Sequence, residues 1–570
     1  MNMTNGFSVV AAAGHIATGE FQKASPHVPS YASGTSDIPL LGETIGANLE
    51  RIAQTFPGSE ALIDIPSGRR WTFAELNSEV NALAAALMGV GLGRGDRLGI
   101  WAPNCPEWFM LQYATARVGV ILVPINPAYR RHELEYVLGH AGIRMVVSAR
   151  QFKTSDYETV LTETLPNAPL VEKVLYLDSE EWDDFVAGGR QAQAARPANV
   201  AEAQAALSMD DSINIQYTSG TTGFPKGATL SHHSILNNGY SIGQLLGYTD
   251  IDRVCVPVPF YHCFGMVIGN LAASSHGAAV IIPARSFVAG ATLEAVQAER
   301  CTSLLGVPTM FIAELAHPDF DTFDLSSLRT GSMGGAPCPV EVMRKIIDRM
   351  GITEISVCYG MTETSPISML SRRNDSLDKR VNTVGRVMPH LEVKIVDPAT
   401  GMVAPRGVPG EFCTRGYSVM VGYWNDREKT AEAVDDHGWM HSGDIGVMDE
   451  DGYVAITGRI KDMVIRGGEN LYPREIEEFL FTHPDILDVQ VIGVPDAKLG
   501  EELMAWVRLK EGAEPMTVES LRAFCHGKLA HFKTPRYLHV VDEFPMTVTG
   551  KIRKMEMREM AVRLLSEHAV

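Results

Sequence analysis

The residues with the clearest chemical purpose are Tyr217-Thr218-Ser219-Gly220-Thr221-Thr222-Gly223-Phe224-Pro225-Lys226-Gly227. They follow a short strand predicted over Ile213 to Tyr217. Glycines let backbone N–H groups crowd around an anion, and the four hydroxyls and Lys226 add donors, so the string suits a polyphosphate. No Gly-Lys-Ser/Thr occurs and no Walker spacing fits. The alternative, a flexible surface loop, accounts poorly for so many hydroxyls and glycines beside a lysine and a strand.

Such a loop needs a frame. Thr72 and Glu75 form a predicted capping box, after which Leu76, Val80, Leu83 and Leu87 recur at helical spacing up to Gly89 and Gly91. Strands are predicted over Arg97 to Trp101, Val120 to Ile125 and Arg144 to Ser148. Helices from Asn104 to Gly119 and from His132 to Leu138 separate them. The alternation resumes with a strand from Ser303 to Val307, a helix from Pro339 to Met350 and a strand from Glu354 to Tyr359. This predicts an α/β fold with doubly wound parallel sheets. From Leu391 to Tyr423, short strands broken by Pro398, Gly401, Pro405, Gly407 and Gly410 predict a small antiparallel barrel or sheet. Beyond Arg459 a compact α+β segment has its own helices, from Pro473 to Thr482 and from Thr517 to Leu529. The expected organisation is a loose tail over 1–40, a large domain over 41–458 and a small domain over 459–570, with the junction at 459–462.

Further motifs follow the loop in order. They are Pro259-Phe260-Tyr261-His262-Cys263-Phe264-Gly265, Gly334-Gly335-Ala336-Pro337, Tyr359-Gly360-Met361-Thr362-Glu363, Trp439-Met440-His441-Ser442-Gly443-Asp444 and Gly458-Arg459-Ile460-Lys461-Asp462. Arg466-Gly467-Gly468-Glu469-Asn470-Leu471-Tyr472-Pro473 and Pro545-Met546-Thr547-Val548-Thr549-Gly550-Lys551 complete the set. Together they resemble the adenylate-forming superfamily over nearly everything after Leu41. The run from Val384 to His390 and that from Ile465 to Pro473 look most like the medium-chain fatty acyl-CoA synthetases called family member 2.

The resemblance implies an ATP-dependent, AMP-forming acid–thiol ligase that makes an acyl-adenylate and passes the acyl group to coenzyme A. It implies that Thr218 to Lys226 hold the β- and γ-phosphates, that Thr362 bonds the α-phosphate and that Glu363 holds Mg²⁺. Gly335, Ala336, Pro337, Tyr359 and Gly360 would wall the adenine, with Asp444 and Arg459 on the ribose. Lys551 would bridge the carboxylate and the α-phosphate, and His262 would gate the acyl site. Asn238, Gly306, Thr309, Met310, Gly334 and Met361 would line the acyl pocket. The small domain would turn about Lys461 after adenylation and bring Gly467, Gly468 and Glu469 to a tunnel for the thiol arm of coenzyme A.

Each residue also has a plain structural reading. Asp444 and Arg459 could be only an ion pair, Glu363 a helix-start carboxylate, His262 a packed ring and Gly467-Gly468 a hairpin turn. Cys263 has no identifiable partner base and is expected in the core. The pocket segments are small and apolar without Lys or Arg, which favours an aliphatic tail over a dicarboxylate, whose second buried charge would need a partner. Medium-chain fatty acids are expected first, extending to long chains, with branched, sulfur-containing or aryl acids as alternatives. A non-catalytic adenylate sensor is the rival from another class, and the presence of both Lys551 and Glu363 argues against it.

With 570 residues and a formal charge of −19, the chain is too long for one core and ill suited to nucleic acid or an anionic membrane surface. Its 8 cysteines are scattered singly without a C-x-x-C pair, which fits a reducing compartment. No apolar run is long enough to span a bilayer, and the N-terminal apolar patch from Val9 to Ala13 lacks a preceding Lys or Arg, so a cytoplasmic protein without integral membrane contact is expected. A homodimer is left open.

Overall fold

The computed structural model describes residues 28–218, 225–336, 338–466, 469–496, 498–546 and 552–567. The N-terminal part contains two large sheets with helices packed against them. In the first, the order is Gly422–Tyr423, Lys226–Ser231, Ser212–Thr218, Ile121–Pro124, Arg97–Trp101, Met145–Ser148 and Lys173–Tyr176. The last five of these strands run parallel. The second sheet has nine strands, with Glu354–Gly360, Thr330–Gly334, Ser303–Gly306 and Arg253–Cys255 parallel at its centre. Local rules account for the helices between them. Thr72 caps Phe73–Gly89 reciprocally with Glu75, Pro106 opens Pro106–Val118, and Gly119 closes it at φ 72°.

The predicted β-rich segment is a five-stranded antiparallel sheet of Tyr31–Ser33, Leu391–Val396, Gly410–Gly416, Met440–Met448 and Val454–Arg459. Part of the segment expected to be a loose tail is therefore ordered. Tyr31 to Ser33 pair with Lys394 to Glu392, and Tyr31 donates to the Glu392 carboxylate at 2.9 Å. The stretch lacks helical or alternating periodicity because its order comes from a distant partner strand.

After Asp462 a further sheet is built on the long pair Ile486–Asp496 and Gly500–Leu509. Alternate residues of the second strand face two different clusters: Leu503, Ala505 and Val507 one way, Met504 and Trp506 the other. Helix Lys554–Glu567 contributes Met557 and Ala561 to the second cluster. Among the described residues no helix is long and apolar enough to cross a membrane.

Candidate active site

All three N-terminal sheets send residues to one place. Strands Ser303–Gly306, Thr330–Gly334 and Glu354–Gly360 are parallel neighbours in which Gly306 pairs with Met333 and Gly334 with Cys358. Their carboxyl ends therefore put Gly306, Gly334, Gly335, Tyr359 and Gly360 side by side, where open α/β sheets bind ligands. Close packing requires glycine at two of these positions. A Cβ on Gly360 would lie 1.8 Å from the Pro366 carbonyl oxygen, and one on Gly334 2.3 Å from Cys358 Sγ.

The seven-stranded sheet supplies the loop predicted to hold phosphate. Ser212–Thr218 and Lys226–Ser231 are antiparallel, with Thr218 opposite Lys226, so the glycine- and threonine-rich string joins the two strands of a hairpin. Lys226 Nζ lies 4.7 Å from the centre of the Tyr423 ring. Tyr423 in turn donates its hydroxyl to Glu363 Oε1 at 2.8 Å, and Glu363 is only 6% exposed. Met420 N–H donates to the Glu363 carbonyl at 2.8 Å, tying the short helix Thr362–Thr364 to the same edge. Burial and the adjoining Glu363 push the Tyr423 hydroxyl pKa well up, so it stays a donor.

The five-stranded sheet supplies Asp444, paired in register with Arg459. Tyr359 donates to Asp444 Oδ2 at 2.7 Å, and its ring meets Phe412 edge-on at 5.1 Å. Burial and the Asp444 charge raise the Tyr359 pKa well above its ordinary value. Arg459 Nε is 2.9 Å from Asp444 Oδ1, a charged contact that covers this oxygen. Each carboxylate oxygen carries two lone pairs, so Asp444 has acceptor capacity beyond Tyr359 and Arg459. The Asp444 charge raises the Arg459 pKa further.

The expected acyl-pocket residues separate into two groups. Thr309 and Met310 line a cavity of about 260 Å³ together with Tyr261 and Val307, and the buried Tyr261 hydroxyl has no hydrogen-bond partner there. The same cavity carries Lys153 and Arg285, cations that the predicted pocket segments lack because they come from other parts of the chain; Arg285 is paired with Asp64 at 2.6 Å. Asn238 instead braces the backbone, because its amide donates to the Ile367 carbonyl at 2.8 Å and accepts from Ile367 N–H at 3.0 Å. It thereby fixes helix His232–Leu246 to strand Ile367–Leu370. Met361 precedes Thr362–Thr364, and its N–H donates to Thr364 Oγ1 at 3.2 Å. His262 Nδ1 accepts from Phe264 N–H at 3.2 Å, at the start of the buried π-helix Phe264–Leu271. Cys263 is buried and donates to Gln216 Oε1 at 3.0 Å, a core contact as expected.

Lys461 lies in the short helix Ile460–Asp462, and its carbonyl accepts from Arg558 at 3.2 Å. Ser219, Gly220, Thr221, Thr222, Gly223, Phe224, Pro337, Gly467, Gly468 and Lys551 lie outside the described residues, as does the side chain of Glu469. Sequence reasoning missed Tyr423, whose partner Glu363 is 60 positions away. A single sequence carries no signal for that pairing. Among the described residues, Glu411, Cys413 and His441 bring three ligand-type atoms within 4.8 Å. There, His441 Nδ1 is already 2.9 Å from Glu411 Oε2, and this hydrogen bond accounts for the cluster without an ion.

The comparisons agree with this geometry. The AMP-binding enzyme model matches residues 49–424 and the AMP-binding enzyme C-terminal domain model matches residues 475–551. The chain is 45% identical over 559 residues to the mitochondrial medium-chain acyl-CoA ligase ACSF2 of Danio rerio, covering 94% of this chain and 91% of that protein. Among solved structures, ATP-bound MatB from Rhodopseudomonas palustris superposes with a TM-score of 0.81 at 31% identity, covering 91% of this chain and 99% of that one. The anthranilate CoA ligase AuaEII in complex with anthranoyl-AMP gives 0.82 at 27% identity, covering 93% and 99%. The chain belongs to the AMP-binding enzyme family, within the acyl-CoA synthetases, which are AMP-forming acid–thiol ligases.

Proposed function

We propose that this ATP-using ligase activates a medium-chain to long-chain fatty acid as its acyl-adenylate and transfers the acyl group to coenzyme A. The observation that carries the reading is the meeting of Asp444, held by Tyr359, and Glu363, held by Tyr423, at one set of strand ends. The Asp444 carboxylate, fixed by Tyr359 through Oδ2, accepts from the ribose hydroxyls, and Arg459 donates to them. Gly335, Ala336, Pro337, Tyr359 and Gly360 form the adenine wall. Thr218 to Lys226 take the β- and γ-phosphates, and Thr362 bonds the α-phosphate. Glu363 offers the hard oxygen that Mg²⁺ prefers, and the ion when bound neutralises phosphate charge.

In the first half-reaction a carboxylate oxygen bonds to the α-phosphorus as the bond from that phosphorus to pyrophosphate breaks. Lys551 bridges the two anions that must approach, a preorganised charge whose loss costs on the order of hundred-fold or more in rate. In the second, the coenzyme A sulfur bonds to the acyl carbon and AMP leaves. The domain over 459–570 turns about Lys461 between the two steps, bringing Gly467, Gly468 and Glu469 to the thiol arm. His262 acts as the gate of the acyl site. The acyl pocket draws on Gly306, Thr309, Met310 and Met361, with Gly334 at its floor. Asn238 acts there through the strand it holds.

An aliphatic acid is supported by the mainly apolar lining around Met310, where Arg285 is already paired with Asp64, and by the relatives whose names specify medium-chain acids. The test is AMP and acyl-CoA formation from ATP and Mg²⁺ over short, medium, long, branched and aromatic acids, with and without coenzyme A. Coenzyme A-dependent AMP release that peaks with medium chains is expected. A peak on aryl acids would replace the substrate, and absence of turnover across the panel would replace the reaction.

A further inference from the structure

The strand carrying Asp444 is not regular where Asp444 leaves it. Along the pair Gly410–Gly416 and Met440–Met448, Cys413 faces His441 but Glu411 faces Ile445. Three residues, Ser442, Gly443 and Asp444, thus stand opposite Phe412 alone in a bulge, a device that re-aims a side chain. Gly443 has φ 70°, the left-handed conformation that such a turn needs. Inside the bulge, Ser442 Oγ donates to the Phe412 carbonyl at 2.6 Å and accepts from Asp444 N–H at 3.1 Å.

Glu411 spans the outside of this bulge. Its Oε1 accepts from Gly443 N–H at 3.1 Å, and its Oε2 lies 2.9 Å from His441 Nδ1. One carboxylate therefore grips the residue immediately before Asp444 and the residue three before it. On the far side, His441 Nε2 lies 3.8 Å from Asp435, which holds the imidazole between two carboxylates. The Glu411 side chain is 14% exposed, so both bonds are made in a largely desolvated setting where a charged acceptor orients strongly.

We propose that Glu411 is the positioning residue for Asp444: by fixing the 441–444 bulge it sets where the Asp444 carboxylate meets the nucleotide sugar. The proposal rests on the reading of Asp444 as the ribose acceptor. It assigns Glu411 no contact with substrate, and it locates nucleotide-sugar selectivity in a residue on the neighbouring strand.

The experiment compares kcat/KM for ATP, 2′-deoxy-ATP and 3′-deoxy-ATP in the wild type, E411A, E411Q and D444A, using the full chain and one saturating acid. D444A is expected to abolish the preference for ATP. E411A is expected to lower that preference roughly tenfold, through KM for the nucleotide with KM for the acid unchanged. E411Q keeps an acceptor for Gly443 N–H and should lower it less. A merely structural role would weaken all three nucleotides equally. If D444A abolishes the preference while E411A, folded by circular dichroism, keeps the wild-type ratio, the proposal is overturned and the ribose reading survives. If E411A does not fold, E411M, which fills the space but offers Gly443 N–H no carboxylate or amide acceptor, takes its place, and a wild-type ratio there overturns it. If D444A itself keeps the preference, the ribose reading fails and the proposal falls with it.

Discussion

Replacing Tyr423 by Phe isolates one atom of the phosphate side of the site. The ring stays beneath Lys226 Nζ at 4.7 Å, so the cation–π contact persists, while the hydroxyl that reaches Glu363 Oε1 at 2.8 Å is lost. A hydrogen bond to a charged, desolvated acceptor contributes about 1.5–3 kcal/mol. At about 1.4 kcal/mol per factor of ten, its loss corresponds to roughly 10- to 100-fold in any equilibrium that depends on Glu363 being held in place. The assay is AMP formation against total Mg²⁺ at fixed, saturating acid and coenzyme A. Y423F should need roughly 10-fold or more Mg²⁺ for its half-maximal rate, with KM for the acid unchanged. Y423L, which also removes the face under Lys226, should add a loss of about 0.5–2 kcal/mol in nucleotide binding. A Y423F enzyme with the wild-type Mg²⁺ dependence would refute both the role of this bond and the assignment of the ion to Glu363.

K551A should lose acyl-adenylate formation yet keep thioester formation from supplied acyl-adenylate, whereas G468W should do the reverse. Equal damage to both half-reactions, read separately by pyrophosphate release and by acyl-CoA formation, would contradict domain alternation. N238A leaves both backbone groups of Ile367 without their buried partner and should destabilise the N-terminal part by about 2–5 kcal/mol in urea unfolding; a smaller shift in midpoint would show that water replaces the amide. His441 has its pKa pushed up to about 10 by the Cys413 sulfur and the Glu411 carboxylate. A raised pKa means that the folded state binds the proton more tightly, so the stabilisation is complete below the unfolded value near 6.5 and is lost as pH rises through about 10. The gap in melting temperature between wild type and H441Q should therefore narrow over that window, and a constant gap would show that the imidazole is neutral in the fold.

The parts of the fold that were legible in the sequence are those with short-range causes. The Thr72 and Glu75 capping box and the strand before the glycine- and threonine-rich string appear where the local pattern places them, and the helix expected from Asn104 starts two residues later, at Pro106. Tyr31–Ser33 was not legible, because its ladder partner Leu391–Val396 lies more than three hundred residues away and three residues show no period. The π-helix Phe264–Leu271 is buried at every position, so an amphipathic period has nothing to register. In the site, Asp444, Arg459, Tyr359 and Glu363 were found through their motifs. Tyr423 and Glu411 were not, since each acts by holding another residue and its identity makes sense only once two distant strands are neighbours.

The division of the apolar core bears on how one site could serve two reactions. The buried residues of the main core end at Val454, and the two clusters of the C-terminal part begin at Val464 and Ile492. Among the described residues no buried apolar cluster spans the junction at 459–462, so a turn there need not open a core. The directional contact across it is Arg474 Nη1 donating to the Ile456 carbonyl at 2.7 Å, while Arg558 holds the Lys461 and Asp462 carbonyls at 3.2 and 3.4 Å. Hydrogen bonds of this kind contribute about 1 kcal/mol each, far less than opening a packed core would cost. Asp444 lies on the N-terminal side of that junction and Arg459 is its first residue, so on the proposed reading the ribose contact sits where the turn begins. In that reading, with Lys551 serving one step and Gly467-Gly468 the next, binding rests on the N-terminal sheets and the alternating step on a part with which, among the described residues, they share no buried apolar cluster.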